Sequence, residues 1–137
     1  MKLDHIGVAV ADLEKSIQAY EALGLGVAHR EHVAKDRVEV AFVPFQGGRF
    51  ELLHPAQEDS PVGRFLAKRG EGIHHVALTV DDIAGEVARL KASGVRMIDQ
   101  EPRSGAEGTL VAFIHPAAMG GVLVELVQRP QGESGHE

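Results

Sequence analysis

The feature that most constrains this 137-residue chain is an internal repeat about 70 residues long. The segment 5–10 (HIGVAV) resembles the segment 75–80 (HVALTV) at an offset of 70. Further matches follow in the same order, while the offset drifts to 74, as a short insertion in the second copy requires. These matches pair Asp12-Leu13 with Asp82-Ile83, Ala41-Phe42-Val43 with Ala112-Phe113-Ile114, Gly47-Gly48 with Gly120-Gly121, and Glu51-Leu52-Leu53 with Glu125-Leu126-Val127. An ordered series of matches indicates two copies of one structural module.

Each copy shows the same order of secondary-structure signals. Alternating β-branched residues over 5–10 predict a strand, and a helix is expected between the N-cap Asp12 and the closing glycine Gly24. Three more strands are expected in the first copy, over 26–31, 37–44 and 49–53. The second copy repeats the pattern with a helix between Asp82 and Gly94 and strands over 75–80, 96–100, 109–114 and 122–127. The sequence therefore predicts two tandem βαβββ modules.

These modules are expected to form a single domain over residues 1–130. They are placed at 3–58 and 73–130, and the segment 59–72 between them is interpreted as a helical linker. Ser60 as N-cap and Pro61 at the first helical position support that helix. Residues 131–137 carry no apolar anchor, so a disordered tail is predicted there.

Composition excludes several classes of function. The chain has no cysteine, which excludes disulfides, thiolate metal sites and cysteine nucleophiles. A net charge of −6 argues against binding to a nucleic-acid backbone, which requires a basic face. No apolar run approaches the roughly 20 residues of a membrane span. Because the N-terminus lacks an apolar signal region, the expected compartment is the cytoplasm.

Eight histidines stand in this chain without cysteine, and the repeat singles out two of them. Strand alternation places His5 on one face with Gly7 and Ala9. In the second copy it places His75 on one face with Ala77 and Thr79. Small residues beside a histidine leave space rather than filling a core. An isolated histidine at the start of a strand is more often structural than a metal ligand, but the repetition favours a ligand.

The two glutamates at equivalent positions complete this set. Glu51 and Glu125 lie within otherwise apolar strands, where a carboxylate is costly unless it is paired, solvated or bound to a cation. A single strand glutamate usually lies on a solvated face. Two imidazoles and two carboxylates without sulfur suit a divalent first-row metal ion rather than a closed structural zinc site. The predicted metal ligands are His5, Glu51, His75 and Glu125.

The repeat and its two His–Glu pairs resemble the vicinal oxygen chelate superfamily, which includes glyoxalase I, bleomycin-resistance proteins and extradiol dioxygenases. Within it, residues 3–130 are most similar to the methylmalonyl-CoA epimerase family. The similarity lies in the segments 4–10, 51–55, 59–66, 72–77, 113–116 and 120–126. It implies an α+β glyoxalase-like fold, in which the curved mixed sheets of the two βαβββ modules form a metal-binding cavity.

The resemblance implies an isomerase that interconverts (R)- and (S)-methylmalonyl-CoA. The metal would chelate two substrate oxygens and stabilise the enolate formed when the α-proton is removed and returned. Glu39 is implied as one base and the ligand Glu125 as the second. Alternation places Glu39 on one strand face with Ala41 and Val43, a face expected to line the cavity. The other interpretation of Glu39 is an exposed strand residue paired with Arg37.

Further expectations follow from the same resemblance. The metal is expected to be Co²⁺, with Mn²⁺, Ni²⁺ and Zn²⁺ as alternatives, and the assembly a homodimer acting in propionate metabolism. The acyl-CoA phosphates need basic contacts, for which the candidates are Arg64, Lys68, Arg69 and Arg103, although solubilising surface charge is the stronger explanation of these residues. The segment 104–108 is interpreted as a flexible loop that either donates backbone N–H groups to substrate or simply turns.

Three other functions are compatible with the same scaffold, because fold does not fix function. A glyoxalase I-like lactoylglutathione lyase would use nearly the same ligands on a hemithioacetal. An extradiol dioxygenase uses two histidines and one carboxylate on iron, so the fourth ligand, Glu51, argues against it. A metal-free drug-binding protein of the bleomycin-resistance type would have no use for two imidazoles and two carboxylates.

Overall fold

The computed structural model describes residues 1–131 of the chain, and in that range it contains eight strands and three α-helices. The strands are β1 (Lys2–Ala9), β2 (His29–Val33), β3 (Val38–Phe45), β4 (Gly48–Pro55), β5 (Gly72–Thr79), β6 (Arg103–Ser104), β7 (Leu110–Ile114) and β8 (Val124–Gln128). The helices are α1 (Leu13–Leu23), α2 (Pro61–Arg69) and α3 (Ile83–Ala92). Apart from Gln131, the predicted tail lies outside the described residues. Over the same range, every helix is too short or too polar to cross a bilayer.

The helix boundaries follow the capping signals of the sequence. The carboxylate of Asp12 accepts the Lys15 N–H at the start of α1, and the Ser60 hydroxyl accepts the Gly63 N–H at the start of α2. Helix α1 ends at Gly24, whose φ of 103° is the left-handed conformation that favours glycine. The carboxylate of Asp82 accepts the Gly85 N–H at the start of α3. The predicted helices are therefore confirmed with their N-caps, whereas α3 ends at Ala92 with Ser93 as its C-cap instead of the predicted Gly94.

Contacts divide the described chain into two compact units, of which the first comprises residues 5–74. Its strands are ordered β2-β3-β4-β1, with β1 parallel to β4 and the other pairs antiparallel. Helix α1 packs against one face of this sheet through Leu13 and Ile17, which contact Ala41 and Val43 of β3. The ring of Tyr20 packs on Phe50, and partial burial raises the pKa of the Tyr20 phenol. Helix α2 packs on the other face, where Val62 joins a cluster with Ala9, Val40 and Leu53.

The second unit comprises residues 1–4 and 75–131 of the described chain. Its strands follow the order β5-β8-β7-β6, again with a parallel pair, β5 and β8, and antiparallel neighbours. Helix α3 covers one face through Ile83 and Val87, which pack against Ala112, Ile114 and Leu126. Both units thus contain one βαβββ module, as the repeat predicts.

A buried ion pair ties the N-terminus into this second unit. The guanidinium of Arg129 donates from Nε to Asp4 Oδ1 at 2.8 Å and from Nη2 to Asp4 Oδ2 at 2.9 Å. The Thr79 hydroxyl donates to Asp4 Oδ1 at 3.0 Å. Only 1% of Asp4 is exposed, so this carboxylate is stabilised by protein donors in place of water.

Two predicted strands are placed differently by the structure. The first copy's second strand lies at His29–Val33 rather than 26–31. The predicted strand over 96–100 is wrong, because there only Met97 bridges to Ile114. Strand β6 forms instead at Arg103–Ser104, and Ser104 is the first residue of the segment 104–108 expected to be a loop. The carboxylate of Asp99 explains the difference, since it accepts the Phe113 N–H and the Arg103 Nε and so replaces ladder hydrogen bonds. The rest of the expected loop holds a short 3-10 helix at Ala106–Gly108.

Candidate metal centre

The first unit brings His5 and Glu51 together through the register of its parallel strand pair. Gly7 of β1 lies opposite Glu51 of β4, and His5 lies two residues before Gly7 on the same face. His5 Nδ1 and Glu51 Oε2 are 3.1 Å apart. Both residues are buried, with 5% and 8% of their surface exposed.

The second unit repeats this arrangement. Ala77 of β5 lies opposite Glu125 of β8, and His75 again lies two residues earlier on the same face. His75 Nε2 and Glu125 Oε1 are 3.2 Å apart, and both residues are buried. The ring of Phe113, the register partner of Glu125 on β7, meets the His75 imidazole edge-on. The structure therefore pairs each predicted histidine with the glutamate of its own module.

The donor atoms of each pair are spaced as metal ligands require. Two adjacent ligands of an octahedral ion with bonds of about 2.1 Å lie about 3.0 Å apart. The observed separations of 3.1 Å and 3.2 Å are close to this spacing. Imidazole nitrogen and carboxylate oxygen are also the donors that divalent first-row ions accept. The residues present therefore fit the metal that the donor set implies.

Arg49 is a further residue at this centre that the sequence interpretation missed. Its guanidinium donates to Glu51 Oε2 from Nε at 3.0 Å and from Nη2 at 2.8 Å. The same guanidinium lies over the Phe42 ring, 4.3 Å from its centroid, and only 6% of Arg49 is exposed. A sequence signal was available, because Arg49 shares the face of Glu51 two residues away on an apolar strand.

Glu39 faces the other side of the first sheet. The β3–β4 register pairs Phe42 with Glu51, so the face of Glu51 continues on β3 through Phe42 and Val40. Glu39 belongs to the alternate set with Ala41, which packs on α1. This set therefore lies on the face opposite that of His5 and Glu51, and the catalytic role of Glu39 stays a prediction. The small side chain of Ala41 allows α1 to approach the sheet.

The contacts of Glu39 agree with this placement. Its Oε1 lies 2.9 Å from His32 Nδ1 on the neighbouring strand, so the partner is His32 rather than Arg37. Two residues before His32 on β2, Arg30 forms an ion pair with Glu14 of α1 at 2.7 Å. Glu39 also lines a groove of about 610 Å³ with the start of α1 and with His54.

Some of the basic residues predicted to bind acyl-CoA have partners in the structure, and others are exposed. Arg64 pairs with Asp59 at 2.9 Å on the surface, and Arg103 pairs with Asp99 at 3.1 Å. The Arg69 guanidinium lies 5.8 Å from the centroid of the Phe65 ring on the same helix, and Lys68 is exposed. These contacts leave the assignment of substrate-binding cations as a prediction.

Comparison with known proteins places this centre in a family context. Residues 4–113 match the family model of the glyoxalase/bleomycin resistance protein/dioxygenase superfamily. A mitochondrial methylmalonyl-CoA epimerase from Mus musculus is 43% identical over 129 residues, covering 93% of this chain and 72% of the relative. The ethylmalonyl-CoA/methylmalonyl-CoA epimerase of Cereibacter sphaeroides is 40% identical over 130 residues, covering 93% and 97% of the two chains.

Solved structures agree with the sequence relatives. A variant of Streptomyces coelicolor methylmalonyl-CoA epimerase in complex with 2-nitronate-propionyl-CoA superposes with a TM-score of 0.90 at 38% identity, covering 98% of both chains. The expected α+β glyoxalase-like fold is thereby confirmed. The chain belongs to the glyoxalase/bleomycin resistance protein/dioxygenase superfamily and groups there with the methylmalonyl-CoA epimerases.

Proposed function

We propose that this chain is a methylmalonyl-CoA epimerase that interconverts the (R)- and (S)-thioesters by removing and returning the α-proton. The observation that carries the proposal is the buried His–Glu pair formed in the same register in both modules, at 3.1 Å and 3.2 Å. Relatives named as epimerases of this substrate cover more than nine-tenths of the chain. Ethylmalonyl-CoA is a second substrate to test, because one of those relatives is named for both thioesters.

His5, Glu51, His75 and Glu125 are proposed to hold one divalent metal ion, with Co²⁺ the first to test. When bound, such an ion supplies Lewis-acid stabilisation of negative charge on the two substrate oxygens that flank the reacting carbon. The histidines contribute neutral nitrogen donors and the glutamates contribute charge. Each pair is buried, so water competes weakly for these donors and electrostatic attraction to a cation is strong.

Inversion of the α-carbon requires a proton acceptor on one face and a proton donor on the other. Glu125 is proposed for one of these roles, because its buried carboxylate is one of the proposed ligands of the metal that would bind the substrate. The resemblance assigns the other role to Glu39, and the exchange rate of Glu39→Gln tests that assignment. The α1-facing position of Glu39 and its bond to His32 argue against it.

The homodimer, the place in propionate metabolism and the cytoplasmic location are proposals that rest on the resemblance alone. The deciding experiment for the activity is deuterium uptake into methylmalonyl-CoA in D₂O, with Co²⁺ or Mn²⁺ added to the full chain. Uptake at the α-carbon together with racemisation supports the proposal. Absence of uptake, combined with turnover of the hemithioacetal of methylglyoxal and glutathione, overturns it in favour of the lactoylglutathione lyase alternative.

A further inference from the structure

We propose that Arg49 is a positioning residue that fixes the Glu51 carboxylate and offsets its negative charge, so that Glu51 acts at the metal as a weakly charged ligand. This inference rests on the proposed metal-dependent function. Its geometric basis is the two-point contact of the guanidinium with Glu51 Oε2, at 3.0 Å and 2.8 Å. Stacking on Phe42 holds the guanidinium in this orientation.

The second module shows that this contact is not a general requirement of the fold. The residue two positions before Glu125 is Leu123, so the repeat supplies no arginine at the equivalent position. An arginine does lie over the equivalent aromatic ring, because the Arg103 guanidinium is 5.5 Å from the Phe113 centroid. That arginine donates to Asp99 instead of to a predicted ligand. Neither Leu123 nor Arg103 therefore repeats in the second module the contact that Arg49 makes with Glu51.

The charge balance gives the contact a chemical consequence. A divalent ion with two carboxylate ligands and two neutral imidazoles has no net charge. The buried Arg49 guanidinium, bonded to Glu51, adds one positive charge to this sum. Attraction for charge that develops on a substrate oxygen grows with that sum, and burial limits its screening. Arg49 is therefore expected to weaken metal binding and to strengthen the polarisation of substrate.

This trade-off separates the proposal from a purely structural role. Replacing Arg49 by methionine removes the cation while keeping an unbranched side chain over Phe42. Metal affinity should then increase, because Glu51 is released to the metal with its full charge. A residue that only holds Glu51 in place would have the opposite effect, since its loss would misplace a ligand and weaken binding.

The experiment measures the Co²⁺ dissociation constant of the full chain by competition with a chromophoric chelator, and deuterium exchange at saturating Co²⁺. Arg49→Met is expected to bind Co²⁺ about tenfold more tightly and to exchange about tenfold more slowly, within the range of outer-sphere effects on metal sites. The double variant Arg49→Met/Glu51→Gln should regain exchange relative to Arg49→Met. Arg103→Met is the matched control, with unchanged Co²⁺ affinity.

Arg49→Lys keeps the charge without the two-point contact, and it covers the case in which the methionine variant fails to fold. Co²⁺ affinity close to that of the wild type supports charge compensation, and tighter binding by the lysine variant overturns it. Weaker or unchanged Co²⁺ binding by Arg49→Met also overturns the role of Arg49 and leaves the proposed function intact. If the wild type binds Co²⁺ without catalysing exchange, the proposed function fails while the affinities still decide the role of Arg49.

Discussion

His5 Nδ1 lies 3.1 Å from Glu51 Oε2 because Gly7, two residues after His5, is the register partner of Glu51 in the parallel β1–β4 pair. A shift of one residue in this register would turn Glu51 to the other face of the sheet and separate the pair. The same register recurs between Ala77 and Glu125. Each pair of predicted ligands is therefore a consequence of strand pairing within its own module.

The first prediction concerns the loss of one imidazole. His75→Ala should weaken Co²⁺ binding by more than about 100-fold, since changes to outer-sphere partners alone cost 10–100-fold. Deuterium exchange should be lost in parallel. Titration of each variant with Co²⁺ measures the affinity, and circular dichroism verifies the fold.

The control for this variant is His115→Ala. His115 Nδ1 accepts the Ala117 N–H at the start of a 3-10 helix and is not among the predicted ligands. Co²⁺ affinity should remain at the wild-type value. Retention of tight Co²⁺ binding by His75→Ala would contradict its assignment as a ligand.

The proximity of each histidine to the glutamate of its own module could be predicted from the sequence because the repeat supplies the missing long-range information. Alternation placed His5 on one strand face with Gly7 and Ala9. The duplicated spacing identified Glu51 and Glu125 as the equivalent glutamates of the two modules. Capping residues likewise set the helix ends, since a cap acts within a few residues of its own position. Helix caps and strand alternation act over a few residues, and the repeat adds a second copy of the same local pattern.

The features that escaped prediction depend on contacts distant in sequence. Alternation grouped Glu39 correctly with Ala41 and Val43, but the side of the sheet they occupy depends on the register of β3 with β4. The position of β6 depends on hydrogen bonds from Asp99 to Phe113, 14 residues away. Arg49 lacks a counterpart in the second module, so the repeat gave it no support.

A second prediction tests the base assigned to Glu39 by resemblance. Because Glu39 faces α1 and pairs with His32, Glu39→Gln should retain deuterium exchange within about twofold, whereas loss of a true general base costs about 100-fold or more. The measurement is the exchange rate at saturating Co²⁺ and methylmalonyl-CoA. A loss of two orders of magnitude with unchanged Co²⁺ affinity would restore Glu39 as the base.

A third prediction concerns the buried ion pair of the second unit. Arg129→Met leaves the Asp4 carboxylate without its two-point partner, and removal of one member of such a pair costs about 3–5 kcal/mol of unfolding free energy. Chemical denaturation of the metal-free protein measures this loss.

The matched control is an exposed pair on α3. Arg89 contacts Glu86 at 2.6 Å with 59% of its side chain exposed, and Arg89→Met should cost less than about 1 kcal/mol. Equal losses for the two variants would show that burial does not govern the contribution of the Arg129 pair.

A fourth prediction links the metal to stability. A ligand that binds only the folded state at 100 times its dissociation constant stabilises that state by about 2.7 kcal/mol. Co²⁺ at that concentration should therefore raise the denaturation midpoint of the wild type, and a chelator should reverse the change. His75→Ala should be stabilised by less than about 0.4 kcal/mol at the same Co²⁺ concentration, because its affinity is expected to be more than about 100-fold weaker. An equal shift in both proteins would place the stabilising ion at a site other than the one built from the two His–Glu pairs.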